Sequence, residues 1–117
     1  MEKTQELNLL TKFEEMMDYA HKMINQFPKH QRHTSAARIE LVMLDAMELI
    51  IEANLKYHKK TTLRDLDIKL HLLRRLVRRC HAWGYVSHKA YEVWSRHLQE
   101  IGRILGGWIK WNRENQA

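Results

Sequence analysis

Leu63, Leu66, Leu70, Leu73, Val77 and Cys80 follow one another at alternating intervals of three and four residues, and the chain repeats this spacing three more times. Leu10, Phe13, Met17, Ala20, Ile24 and Phe27 form one such series, and Ile39, Met43, Ala46, Ile50, Ala53 and Tyr57 another. Tyr91, Trp94, Leu98, Ile101, Leu105 and Trp108 form the last. Three-four alternation keeps side chains on one face of an α-helix, whereas a half-buried strand would alternate at every second residue. Four stripes of this kind in 117 residues predict an all-α, antiparallel up-down-up-down four-helix bundle with knobs-into-holes packing.

The residues between the stripes place the helix ends. Pro28 cannot continue the first helix, and residues 29–34 read as a loop. Thr11 and Glu14 have the spacing of a capping box inside or at the start of helix 1. Thr34 or Ser35 can cap helix 2, Thr61 or Thr62 helix 3, and Ser87 helix 4, with Gly84 a stop signal after helix 3. The predicted helices span about 8–27, 35–58, 62–84 and 88–112, in a single domain covering residues 1–117. Short connections make sequential neighbours antiparallel.

Helix 2 carries more apolar residues than one seam requires. Leu41, Val42, Leu44, Met47, Leu49 and Ile51 leave Asp45, Glu48 and Glu52 as a narrow polar strip. A helix apolar almost all round is buried on more than one side, and here the second side is most simply another subunit. Helix 4 contains Gly102, Gly106 and Gly107, each costing a helix about 1 kcal/mol relative to alanine. The stripe from Leu98 to Trp108 runs through them, which predicts an unbroken helix whose glycines permit close packing.

Charge is unevenly distributed. Residues 1–55 sum to −3, residues 56–82 to +7 and the remainder to +2. Arg74 and Arg78 are four residues apart, as are Arg75 and Arg79, and Arg64 and Lys69 precede them on the same helix. Like charges at that spacing repel unless an anion neutralises them, and guanidinium groups bind phosphate bidentately. The readings open are a nucleic acid or acidic protein surface, or else a face that is simply solvated or is paired with Asp45, Glu48 and Glu52 across the bundle.

Other chemistries find less support. A di-metal bundle needs Glu-x-x-His on two helices, and that motif is absent, Asp18 and His21 being a poor substitute. The eight histidines are scattered, and Cys80 falls on a core seam where a thiol acts as a small hydrophobe. His81 points away from its neighbour Cys80, which disfavours a nucleophilic pair. No metal, cofactor or catalytic activity is expected. Trp94 and Trp108 belong to the core, and Trp83, Tyr85 and Trp111 read as caps over the bundle ends that could also stack on bases. A lone cysteine, a polar N-terminus and no apolar run of about 20 residues predict a cytoplasmic protein without leader or membrane span.

The run Leu73-Arg-Arg-Leu-Val-Arg78, with Glu100-Ile-Gly-Arg-Ile-Leu-Gly-Gly-Trp-Ile109, resembles the Avd proteins, the accessory variability determinants of diversity-generating retroelements. Phe27-Pro28-Lys29 and the Leu-Asp-x-x-Glu-Leu-Ile run at 44–50 are also similar, and the resemblance extends from about Phe13 onward. It implies a bacterial or phage-encoded protein forming a homopentameric barrel of four-helix bundles. It also implies a non-catalytic role: binding the retroelement's reverse transcriptase and template RNA or cDNA during mutagenic retrohoming. On this footing Arg74 and Arg78 lie on the basic binding surface, and Gly102, Gly106 and Gly107 allow close helix packing. The four-helix proteins of ribosomal-RNA intervening sequences share part of the pattern, and a structural or protein-interaction module of that type is the alternative.

Overall fold

In the computed structural model the described residues are 2–116, with side chains described from Asn8 onward. They form four helices: α1 (Glu2–Ile24), α2 (Ser35–Leu55), α3 (Lys60–Ala82) and α4 (His88–Gln116). There is no strand among the described residues. α1 packs against α2 and α4, and α3 packs against the same two, so the helices form a closed ring in cross-section. The body measures 46 × 24 × 19 Å, and its long axis matches the ~1.5 Å per residue rise of the 29-residue α4. Connections of four and five residues on either side of α3 reverse the chain each time. The predicted four-helix arrangement is the observed one.

The helix ends show why the predicted bounds shift by a few residues. α1 stops at Ile24 and a 3₁₀ turn at Lys29–Gln31 follows Pro28, although Phe27 remains buried. Thr11 lies inside α1 and therefore caps nothing. Thr34 stands at the N-cap position of α2, but its hydroxyl bonds Gln31 Oε1 at 2.8 Å instead of a first-turn N–H. α3 starts at Lys60, so Thr61 and Thr62 are helical rather than caps, and Thr62 is buried. Ser87 does cap α4, its Oγ accepting the Ala90 N–H at 3.1 Å. α3 ends in a Schellman motif: Tyr85 N–H donates to Cys80 O at 2.9 Å and Gly84 N–H to His81 O at 3.0 Å. Gly84 has φ +82°, the left-handed conformation that motif requires.

The α2–α3 connection is organised by a residue whose role the sequence reading missed. Lys59 is only 5 % exposed, and its ammonium donates to Ala53 O at 2.5 Å and to Lys56 O. It thus satisfies carbonyls that the end of α2 leaves without helical donors. Its backbone N–H donates to Gln116 Oε1 at 3.4 Å, while Gln116 Nε2 donates to Tyr57 O at 2.6 Å. Gln116 thereby fastens the far end of α4 to the same connection.

The core follows the seams of α3 and α4 closely. Leu63, Leu66, Leu70, Leu73, Val77 and Cys80 are all buried, as are Trp94, Leu98, Ile101, Leu105 and Trp108, with Tyr91 at the margin. In α1 Phe13, Ala20, Ile24 and Phe27 are buried as predicted, and the stripe is corrected by one residue at two positions. Leu9 and Met16 are fully buried, while Leu10 and Met17 pack at the edge. In α2 the inner residues Ile39, Met43, Ala46, Ile50 and Ala53 are buried, but Tyr57 lies beyond the helix and is 76 % exposed.

Candidate nucleic-acid interface

Because the apolar seam of α3 is spent on the core, the positions opposite it face outward, exposed Ile68 among them. Arg64, Arg74, Arg75, Arg78 and Arg79 are all exposed. None of the five forms an ion pair among the described residues. The pairing of these arginines with α2 carboxylates, open from sequence, is therefore not what the fold makes. Asp45 reaches across to α3 but takes Lys69, at 3.6 Å between Nζ and Oδ2. Glu52 pairs with Lys56 near the end of its own helix, at 3.4 Å. Lys69 is thus engaged by a carboxylate, unlike the other basic residues singled out with it.

Arg74 differs from its neighbours in direction. Its Nη1 and Leu70 Cδ2 each lie 3.7 Å from the point where a Cβ on Gly102 would stand. The α3–α4 groove therefore carries the Arg74 guanidinium across Gly102, at ordinary contact distance rather than by tight backbone approach. α4 is unbroken through its glycines. Gly106 and Gly107 are exposed, and a Cβ on Gly106 would meet nothing within 4 Å. No packing inside this chain requires glycine at 106. Within the same string Arg103 is held by Glu100, Nη2 to Oε1 at 2.7 Å, and that hydrogen bond keeps the Glu100 carboxyl below its usual range.

At the C-terminal end of α3, Arg79 Cζ lies 5.9 Å from the centre of the Trp83 ring, which is 56 % exposed. Tyr85 flanks Trp83 at 6.1 Å and also packs on Phe27 at 5.8 Å. The two indoles of the α4 seam are buried in the core, as their spacing predicts.

Cys80 is buried, and desolvation pushes its thiol up to about 11, away from thiolate chemistry. His81 stacks on Tyr91 at 4.2 Å, and His88 contacts Glu92 at 2.8 Å. No group of three or more metal-ligating side chains stands together among the described residues. None of the described helices is long and apolar enough to cross a membrane.

Charge and apolar surface divide between the two halves of the ring. The sequences of α1 and α2 sum to −5, and those of α3 and α4 to +7. On α2, Leu41, Leu44, Ile51 and Leu55 are 44–83 % exposed. With Glu48 between them they repeat the three-four spacing a second time, on the side away from the core. The doubly apolar character read from the sequence is therefore an open apolar seam on the outside of the bundle.

No curated protein matches the chain. A family model does, that of the bAvd-like family, over residues 7–112. The matched region takes in α2 and α3 whole and most of α1 and α4, with the arginine ridge of α3 and the glycine string of α4. The chain belongs to the bAvd-like family, in agreement with its resemblance to the Avd proteins of diversity-generating retroelements.

Proposed function

We propose that the protein is a non-catalytic accessory factor of a diversity-generating retroelement, using the ridge of Arg64, Arg74, Arg75, Arg78 and Arg79 to bind template RNA or cDNA and the retroelement's reverse transcriptase. The observation that carries this reading is five exposed guanidinium groups on one helix with no carboxylate partner among the described residues. Such an array carries mutual repulsion that phosphates relieve, and each neutralised phosphate releases condensed counterions. Family membership supplies the context, a retroelement whose enzyme and template have to be brought together.

The open seam on α2 supports self-association as part of the same function. Leu41, Leu44, Ile51 and Leu55 supply apolar contacts to a second copy, and Glu48 in their midst supplies a polar residue of the kind that fixes register. Exposed Gly106 and Gly107 offer a second surface where another backbone can come close. The pentamer implied by the resemblance is the assembly proposed.

Replacing Arg74 and Arg78 together with Gln tests the electrostatic core of the proposal. Two lost phosphate contacts should reduce the slope of log affinity against log salt by about 1.4 for a single strand and about 1.8 for a duplex. Filter binding over a salt series reads the slope, and circular dichroism checks that helicity is retained. An unaltered slope in a folded variant would remove the ridge from the binding surface.

A further inference from the structure

A second cationic feature lies at the opposite end of α3 from Trp83. The first turn of α3 and the last turns of α4 enclose a cleft of about 320 Å³ between Lys60, Leu63 and Arg64 on one side and Ile109, Asn112 and Arg113 on the other. Among the described residues Lys60, Arg64 and Arg113 form no ion pair, and although Asp67 also borders the cleft, its described wall carries an excess of positive charge. No side chain caps α3, which leaves the partial positive charge of its first-turn N–H groups at the same place.

Independent of charge, the cleft is lined by a buried residue that has an unanswered polar atom. Asn112 is 4 % exposed, and its Oδ1 has no hydrogen-bond partner. A buried acceptor without a donor costs about 1–3 kcal/mol, and a half-turn of the amide exchanges its two ends. Leu63 and Ile109 add apolar wall beside it. Cations, an apolar surface and a buried amide in one recess match a ligand that has a phosphate, a flat apolar body and polar edges. The volume stands at the lower end of the ~300–1,000 Å³ range of small-molecule sites, which suits one nucleotide and not a longer segment.

We propose that this cleft binds a single nucleoside phosphate, the phosphate held by Lys60, Arg64 and Arg113 and the base or sugar seated on Leu63 and Ile109 within reach of Asn112. The ligand is a free mononucleotide or the phosphorylated end of a strand. The site touches the arginine ridge at Arg64 but stands on residues of α4 that the ridge does not include.

Equilibrium dialysis of the full chain with radiolabelled adenosine 5′-monophosphate provides the test. Saturable binding of one nucleotide per chain is expected, with adenosine and inorganic phosphate as weaker competitors. Arg113→Gln changes an exposed residue and should weaken binding at least about tenfold, the value of one charge-assisted hydrogen bond. Arg78→Gln, on the ridge, should leave it unchanged. A 5′-phosphorylated oligonucleotide that competes better than its unphosphorylated twin assigns the site to strand ends, and equal failure of both assigns it to free nucleotide. Absence of saturable binding, indifference to Arg113→Gln, or equal loss in Arg78→Gln would overturn the proposal. Nucleotide binding that persists in the Arg74/Arg78 double variant would separate this site from the ridge.

Discussion

Replacing Lys59 with Met should destabilise the protein far more than replacing its neighbour Lys60. Methionine keeps the apolar stem but removes the ammonium that donates to Ala53 O and Lys56 O. Hydrogen bonds to a charged group are each worth about 1.5–3 kcal/mol, and removal of the donor leaves carbonyls at the end of α2 unanswered. Part of this is returned because a buried ammonium no longer has to be desolvated, so a net loss of about 2–4 kcal/mol is expected. An unfolding entropy of about 2.1 cal/mol/K per residue converts each kcal/mol into about 4 °C for 117 residues. The Lys59→Met melting temperature should therefore fall by roughly 8–16 °C in calorimetry, at matched protein concentration. Lys60→Met, at an exposed position, should stay within about 2 °C of the parent. A Lys59→Met protein as stable as the parent would show that desolvation cancels the hydrogen bonds and that the connection is held by packing alone.

Other expectations concern the turn, the thiol and the open seam. Gly84→Ala forces a left-handed φ on an L-residue and should cost about 1 kcal/mol in urea denaturation, and a neutral result would argue against the Schellman geometry. Burial pushes the Cys80 thiol up to about 11 from its ordinary 9.0, so the unfolded chain releases this proton first. Its contribution to stability is fully present below pH 9.0 and is lost as pH rises towards 11; urea midpoints across that window should fall less in Cys80→Ala than in the parent. Glu in place of both Leu44 and Ile51 should reduce the proposed assembly to single chains in light scattering. Retention of the parent mass would assign subunit contact to a different face.

Legibility from sequence varied with the chemistry opposite each stripe. The core stripe of α3, though not its start, is legible because most of its outer face is charged, which leaves one main set of positions to bury. In α1 the stripe holds at Phe13, Ala20, Ile24 and Phe27 and misses by one residue at two places, because Leu9-Leu10 and Met16-Met17 each offer two adjacent apolar positions and only the neighbouring helices choose between them. Helix ends were least legible where a distant or unorthodox group supplies the cap. Neither the Lys59 ammonium on the end of α2 nor Gln116 against the same turn has a local signature. The exposure of the arginines followed from periodicity, whereas the capture of Lys69 by Asp45 depends on how two helices meet. The cleft of Lys60, Arg64 and Arg113 was invisible because its walls lie about fifty residues apart in the chain.

The separation of negative α1–α2 from positive α3–α4 makes the protomer a transverse electric dipole. In the field of a polyanion such a body experiences a torque as well as a pull, and it turns its α3 edge forward before any atoms touch. Productive orientation is then set during approach, and raising ionic strength should slow capture by spoiling the alignment more than by weakening the final contacts.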